Sequence, residues 1–114
     1  MRIWMNLAAL LLAFGALMSN PETSVPADSK PTGKTHTILI KGLQFAPDRL
    51  EVSVGDTVVW RNEDIVPHTA TAKNGFDSRN LDKGQSWRYV AKQKGSYPYI
   101  CTYHPTMAGE LLVK

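Results

Sequence analysis

The sequence is poor in cysteine and histidine, and its basic residues form no run. A single cysteine among 114 residues excludes an internal disulfide, and with it a fold held together by disulfide bonds. The formal net charge of +3 comes from scattered lysines and arginines, so the composition does not favour binding to nucleic acid. A chain of this length has room for one domain.

The sequence also has no hydrophobic run long enough to span a bilayer easily. The apolar stretch Leu7–Met18 is too short to span a bilayer easily, and it follows the basic residue Arg2 and precedes polar residues. This order is typical of a secretory signal, with an uncleaved membrane anchor as the alternative. We predict a signal peptide over 1–27, a linker over 28–34 and a folded domain over 35–114 that does not enter the membrane. The predicted location is the periplasm or another exported compartment.

The rest of the chain alternates apolar and polar residues in short segments separated by turns. In "RLEVSV" the alternation places Leu50, Val52 and Val54 on the inner face. The next segment, "TVVWRN", does not match it as a simple hairpin partner, which indicates that Gly55 carries the chain to a second sheet. About seven such segments and no helical pattern predict an all-β domain of two packed antiparallel sheets.

The segment "YPYICTYHPTM" contains the only cysteine. A free thiol in an oxidising compartment is open to oxidation, so burial or a bound metal would protect Cys101. His104 and Met107 follow at intervals of three residues. Each of the three is common in a core by itself, but a thiolate, an imidazole and a thioether together favour copper over magnesium or calcium. Zinc is disfavoured because neither its structural nor its catalytic sites use methionine.

A blue-copper site needs two histidines, one cysteine and a weak axial methionine. The second histidine is either His36, which lies in a predicted strand close to the linker, or His68, which follows Pro67 where a turn enters a strand. The fixed backbone of Pro67 suits a rigid ligand. The spacing alone leaves both candidates open.

The segments "VGDTVVWRNEDIVPHT" and "GSYPYICTYHPTMAGELLV" resemble the cupredoxins, in particular their amicyanin and plastocyanin branch. The resemblance implies a Greek-key β-sandwich of seven to eight strands. It also implies that His68, Cys101, His104 and Met107 bind one copper ion that alternates between Cu(I) and Cu(II). Many relatives carry asparagine where this chain has Thr69.

The implied function is electron transfer rather than catalysis. Multicopper oxidases of this family place histidines on both sides of the cysteine, whereas here the neighbours are Ile100 and Thr102. We therefore predict a monomeric one-electron carrier, with a periplasmic copper-binding or copper-delivery protein as the alternative. The resemblance suggests redox partners such as a dehydrogenase or a c-type cytochrome, which dock transiently near His104.

The two histidines should differ in exposure. We expect His68 to be held inside and His104, on the loop, to lie nearer the surface. The apolar residues 65–67 would then contribute to an uncharged patch around His104. Glu63 and Asp64 are interpreted as solvated loop charges.

Overall fold

The computed structural model describes residues 33–114, which form nine β-strands in two sheets. The predicted signal peptide and most of the predicted linker lie outside these residues. Residues 33–114 contain no helix that could cross a membrane. The strands are β1 (Thr35–Lys41), β2 (Gln44–Ala46), β3 (Arg49–Val52), β4 (Thr57–Asn62), β5 (Thr71–Ala72), β6 (Phe76–Asp77), β7 (Ser86–Val90), β8 (Gly95–Cys101) and β9 (His104–Val113).

The all-β prediction is confirmed, but the prediction of purely antiparallel sheets is wrong. One sheet has the order β2-β1-β4-β7 and the other the order β3-β9-β8-β5-β6. Each contains one parallel pair, β1 with β4 and β3 with β9. Alternation along a strand identifies its inner face, but it does not identify the neighbour with which the strand pairs.

The chain changes sheets between β3 and β4, as the mismatch between these segments predicted. Gly55 has a φ of 97°, a conformation that favours glycine, and its N–H donates to the carbonyl of Ala91 at 2.7 Å. Val54 was predicted to point inward but is 45% exposed, because β3 ends at Val52 and Val54 belongs to the turn. The alternation of apolar and polar residues in the sequence therefore continues two residues beyond the end of β3.

Aromatic rings fill the space between the sheets. The side chains of Trp60 and Tyr99 are fully buried and meet edge to face, with ring centroids 5.5 Å apart. Phe45 packs against Tyr99 at 4.7 Å. Gly109 faces Tyr99 across β8 and β9, and a Cβ at this position would overlap the tyrosine ring. Burial raises the pKa of Tyr99 to about 12.

Asp56 ties the start of β1 to the turn between β3 and β4. Its carboxylate accepts hydrogen bonds from the backbone N–H of Ser53 at 3.0 Å and of Lys34 at 2.9 Å, and it lies 2.9 Å from Nε2 of His36. The hydrogen bonds from Ser53 and His36 lower the pKa of Asp56 to about 2. This carboxylate therefore stabilises the fold in its ionised form.

The low pKa of Asp56 predicts a specific pH dependence of stability. Its pKa in the unfolded chain is about 3.9, so its contribution is present above about pH 4 and is lost as the pH falls toward 2. We expect Asp56→Asn to lower the urea midpoint of the copper-free protein at pH 6, and the difference from wild type to shrink between pH 4 and 2. The matched control is Asp48→Asn, which removes an exposed aspartate. A difference between wild type and Asp56→Asn that stays constant with pH would contradict this assignment.

Candidate metal centre

The predicted ligands come from two separate segments of the chain that meet at one end of the sandwich. Cys101 ends β8 and His104 begins β9, so the turn between these strands supplies two donors. The register of β8 against β9 changes between Ile100 and Cys101. His68 comes from the segment after β4, where its backbone N–H and carbonyl bond to the carbonyl and N–H of Leu81 at 3.0 and 2.8 Å. Hydrogen-bonded strand ends thus position all three side chains.

The donor atoms of these three residues converge. Sγ of Cys101 lies 3.6 Å from Nδ1 of His68 and 3.8 Å from Nδ1 of His104, and the three donor atoms lie within 4.8 Å of one another. Metal–nitrogen bonds of about 2.0 Å and metal–sulfur bonds of about 2.3 Å, at angles between tetrahedral and 120°, would separate nitrogen from sulfur by roughly 3.5–3.7 Å. The group therefore fits one metal ion bound to two imidazoles and a thiolate.

Asp64 determines which nitrogen of His68 faces the thiol. Its carboxylate oxygen Oδ2 lies 2.8 Å from Nε2 of His68. An ionised carboxylate only accepts hydrogen bonds, so Nε2 carries the hydrogen and Nδ1 keeps its lone pair for a metal. The interpretation of Asp64 as a solvated loop charge is thus wrong, whereas Glu63 does remain on the surface and pairs with Arg61 at 2.9 Å. The signal in the sequence was the four-residue spacing from Asp64 to His68.

Backbone groups keep Asp64 ionised. Burial by itself would raise the pKa of this carboxyl group, but hydrogen bonds from the N–H groups of Leu43 and Gly42 and from His68 outweigh burial and lower the pKa. The two N–H groups belong to the turn between β1 and β2 and lie 3.0 and 2.8 Å from the carboxylate. Gly42 and Leu43 both have positive φ, 61° and 58°, as a two-residue hairpin turn of type I′ requires. The turn thereby supports the His68 segment.

Asn62 shapes the loop that leads to His68. Its side chain is fully buried and donates to the carbonyls of Val66 at 2.9 Å and Leu81 at 2.8 Å. Its Oδ1 accepts the N–H of Asp64 at 2.8 Å. Both donor positions of this amide and one of its two acceptor positions have partners, so the loop is fixed between β4 and His68.

The thiol itself is buried and contacts a backbone donor. Cys101 is completely inaccessible to solvent, and the N–H of Thr69 lies 3.4 Å from its sulfur. Met107 is 4% exposed and lies on β9, three residues after His104. Its burial at this end of the sandwich is compatible with an axial thioether, and its role as a ligand stays a prediction.

The two histidines differ in exposure as expected. His68 is completely buried, whereas His104 is partly accessible. A shallow cavity of about 420 Å³ beside His104 is lined by Gly42, Leu43, Asp64, Ile65 and Val66. The side chain of Ile65 is 82% exposed, and Leu43 and Tyr103 are each 50% exposed. Of the predicted apolar residues 65–67, Ile65 and Val66 line this cavity, whereas Leu43 was not predicted and reaches the surface through the turn after β1.

His36 is not part of the site. It lies in β1 beside Asp56, and the metal-binding group found among residues 33–114 consists of His68, Cys101 and His104. The sequence spacing left His36 and His68 open as candidates, and it is a ring nitrogen of His68 that lies in the three-donor group.

Comparison with known proteins agrees with this geometry. The family model of the cupredoxin-like domain matches residues 7–113. Amicyanin from Paracoccus versutus is 30% identical over 96 residues, which cover 79% of this chain and 68% of the relative. Amicyanin-alpha from Methylorubrum extorquens is 29% identical over 114 residues, covering 94% of this chain and 95% of the relative.

The structural comparison gives the same result. The solved structure of the Cu(I) form of an amicyanin mutant superposes with a TM-score of 0.67 at 29% identity, covering 70% of this chain and 82% of the other. The sequence match covers nearly the whole chain, and the two-sheet fold and the histidine–cysteine cluster occur together in the structure. The chain therefore belongs to the cupredoxin family.

Proposed function

We propose that His68, Cys101, His104 and Met107 hold the copper ion of this blue copper electron-transfer protein. The observation that carries the assignment is the convergence of the first three donors, with both nitrogen–sulfur distances between 3.6 and 3.8 Å. Thiolate, imidazole and thioether are the donor set of such sites. The bound copper supplies a reversible one-electron couple, and the protein supplies a fixed arrangement of ligands.

The residues of the chain have separable roles in this function. Cys101, buried at the end of β8, provides the thiolate that dominates the bonding. Asp64 holds the His68 ring in one orientation and one tautomer. Because His68 and Cys101 are both inaccessible to solvent, water is kept from the interior side of the site. His104 is the ligand that reaches the surface.

The surface around His104 is suited to brief contacts with a redox partner. Exposed apolar side chains of Leu43 and Ile65 line the cavity beside the ligand edge. Apolar contact permits close approach, and the small size of the surface favours rapid separation. On this basis the partners are exported redox proteins, such as a dehydrogenase as donor and a c-type cytochrome as acceptor, in the periplasm. The resemblance to the amicyanins supports this partner class.

Copper delivery is the second candidate function. A carrier that hands over its metal needs ligands that a recipient can reach and replace. Here two of the three convergent donors are completely buried, and the buried histidine is further held by Asp64 at 2.8 Å. This arrangement favours retention of the metal through many redox cycles.

Repeated redox cycling tests the proposed function. We expect the copper-loaded protein to pass through many cycles of reduction and oxidation with one copper per chain retained and its visible charge-transfer band restored each time. Cys101→Ser should lack the band, because the thiolate–copper bond produces it. Its copper affinity should fall by more than about 100-fold, since changes to residues that only orient ligands already cost about 10- to 100-fold. Progressive loss of copper to a chelator during cycling would support delivery instead.

Met107→Leu tests the axial position. A weak axial ligand adjusts the reduction potential without carrying the main bonding. We expect the variant to keep its visible band and to show a potential raised by about 60 mV or more, which is a tenfold change in a one-electron equilibrium. The reason is that Cu(II) loses an electron-donating contact and the surroundings become more apolar. Voltammetry gives the potential, and complete loss of copper from this variant would identify Met107 as a principal ligand.

Ile65→Lys tests the docking surface. The side chain of Ile65 is 82% exposed at the rim of the cavity beside His104, so a lysine there leaves the ligands untouched. Electron self-exchange between two copies should slow by about tenfold or more at low salt, because like charges meet at the contact. Added salt should restore part of the rate, since the screening length falls from about 30 Å at 0.01 M to about 10 Å at 0.1 M.

The matched control for this variant is Thr37→Lys, which adds the same charge on the exposed side of β1. Line broadening in NMR spectra of mixed oxidised and reduced protein gives the rate. Equal rates for wild type and Ile65→Lys, with an unchanged visible spectrum, would show that electrons leave the protein elsewhere.

A further inference from the structure

Three threonine hydroxyls connect the two ligand-bearing segments to an aspartate on β6. Thr69 follows His68, and Thr102 follows Cys101. Oγ1 of Thr69 lies 2.9 Å from the backbone nitrogen of Thr102, 3.2 Å from Oγ1 of Thr102 and 3.1 Å from Oγ1 of Thr71. Oγ1 of Thr71 in turn lies 3.1 Å from Oδ1 of Asp77. We call Thr102, Thr69, Thr71 and Asp77 the hydroxyl chain.

The number of hydrogens in the hydroxyl chain determines its direction. Each threonine hydroxyl has one hydrogen to donate, and an ionised carboxylate has none. Thr71 has two neighbours, the hydroxyl of Thr69 and the carboxylate of Asp77, and it is the donor in both contacts, each at 3.1 Å. Its one hydrogen is shared between them, and the charged carboxylate holds the Thr71 hydroxyl in place beside Thr69.

With Thr71 as donor, the Thr69 oxygen accepts the O–H of Thr71 and the backbone N–H of Thr102, the latter at 2.9 Å. Both of its lone pairs are then used, so its own hydrogen is donated to Oγ1 of Thr102 at 3.2 Å. Thr69 is 4% exposed, so water does not readily replace these partners. The residue that follows Cys101 is thus held at two points against the residue that follows His68.

We propose that Asp77 and Thr71 are positioning residues, which act through the Thr69 hydroxyl to hold the Cys101 segment against the His68 segment. The link to the metal centre rests on the ligand assignment proposed above. Their side-chain hydrogen bonds are to Thr69, to each other and to Arg79 rather than to a proposed ligand. Thr71 lies on β5 and Asp77 on β6. The carboxylate of Asp77 also accepts the N–H of Arg79 at 2.8 Å and is thereby fixed in place.

The backbone N–H of Thr69 connects the hydroxyl chain to the reduction potential. The N–H of Thr69 points to the sulfur of Cys101 at 3.4 Å. A hydrogen bond to a thiolate reduces the electron density that it donates, which favours Cu(I) and raises the potential. If the hydroxyl chain holds Thr69 in this position, loss of the chain lengthens this bond and lowers the potential.

Amide hydrogen exchange in the copper-free protein tests the positioning role without any metal. Thr69→Val keeps the branched shape but removes the hydroxyl, so the Thr102 amide should exchange about fivefold faster or more, the factor expected for one lost hydrogen bond. Thr71→Val should speed it about twofold or more, because Thr69 loses the donor that fixes the orientation of its hydroxyl toward Thr102. Thr71→Ser keeps the hydroxyl and should behave as wild type.

The reduction potential of the copper-loaded variants is the second readout. It should fall in Thr69→Val and, by a smaller amount, in Thr71→Val, and Thr71→Ser should restore it. Because Asp77 acts through Thr71, the effect of Asp77→Ala should disappear in the Thr71→Val background. Thr37→Val, which removes an exposed hydroxyl from β1, is the matched control and should change neither readout.

The two readouts distinguish this inference from the copper assignment. Unchanged Thr102 exchange in folded Thr71→Val would overturn the positioning role. An additive effect of Asp77→Ala in the Thr71→Val background would equally contradict it, because the carboxylate would then act by another route. Faster Thr102 exchange in a chain that fails to form a blue copper centre would uphold the hydroxyl chain and refute the ligand assignment.

Discussion

The hydrogen bond between Asp64 and His68 fixes which imidazole nitrogen faces Cys101, and the rest of the site depends on that choice. At 2.8 Å from an acceptor-only carboxylate, Nε2 is committed as a donor. The carboxylate keeps its charge because the turn after β1 supplies two backbone donors. The hairpin turn between β1 and β2 therefore contributes to the tautomer of the buried His68. The proposed copper centre is a property of the whole end of the sandwich rather than of the Cys101 loop alone.

This arrangement suits a protein whose task is to change oxidation state without changing shape. Both ligand segments are tied to strands: His68 by a pair of backbone hydrogen bonds to Leu81, and Cys101 and His104 by the last and first positions of β8 and β9. Cu(II) and Cu(I) differ in preferred geometry, so ligands that are free to move would relax at every transfer. Donors that already lie 3.6 and 3.8 Å apart in the fold leave little to reorganise. The opposite end of the sandwich has a separate task, because Asp56 anchors the entry of the chain there.

The sequence predicted the inner faces of the strands and the ligand types because both are local. Alternation identified the inward-facing Leu50 and Val52, and three-residue spacing identified the Cys101 loop. Pairing partners were not predictable, since β1 joins β4 and β3 joins β9 across long stretches of chain. The role of Asp64 was missed for the same reason. Its charge is stabilised by the N–H groups of Gly42 and Leu43, which lie 22 and 21 residues earlier in the chain and are brought to it only by the fold. Thr69 was recognised as a departure from its relatives, but its partners Thr71 and Asp77 became visible only through the packing of β5 against β6.

Copper K-edge X-ray absorption of the oxidised and reduced protein tests most directly whether the fold holds one set of ligands in both states. The account predicts one short sulfur scatterer and two nitrogen scatterers in each state, with nearly the same distances. A first shell of oxygen and nitrogen without sulfur would show that Cys101 is not a ligand. A change in the number of bound atoms between the two states would contradict the claim that the scaffold, rather than the metal, sets the geometry.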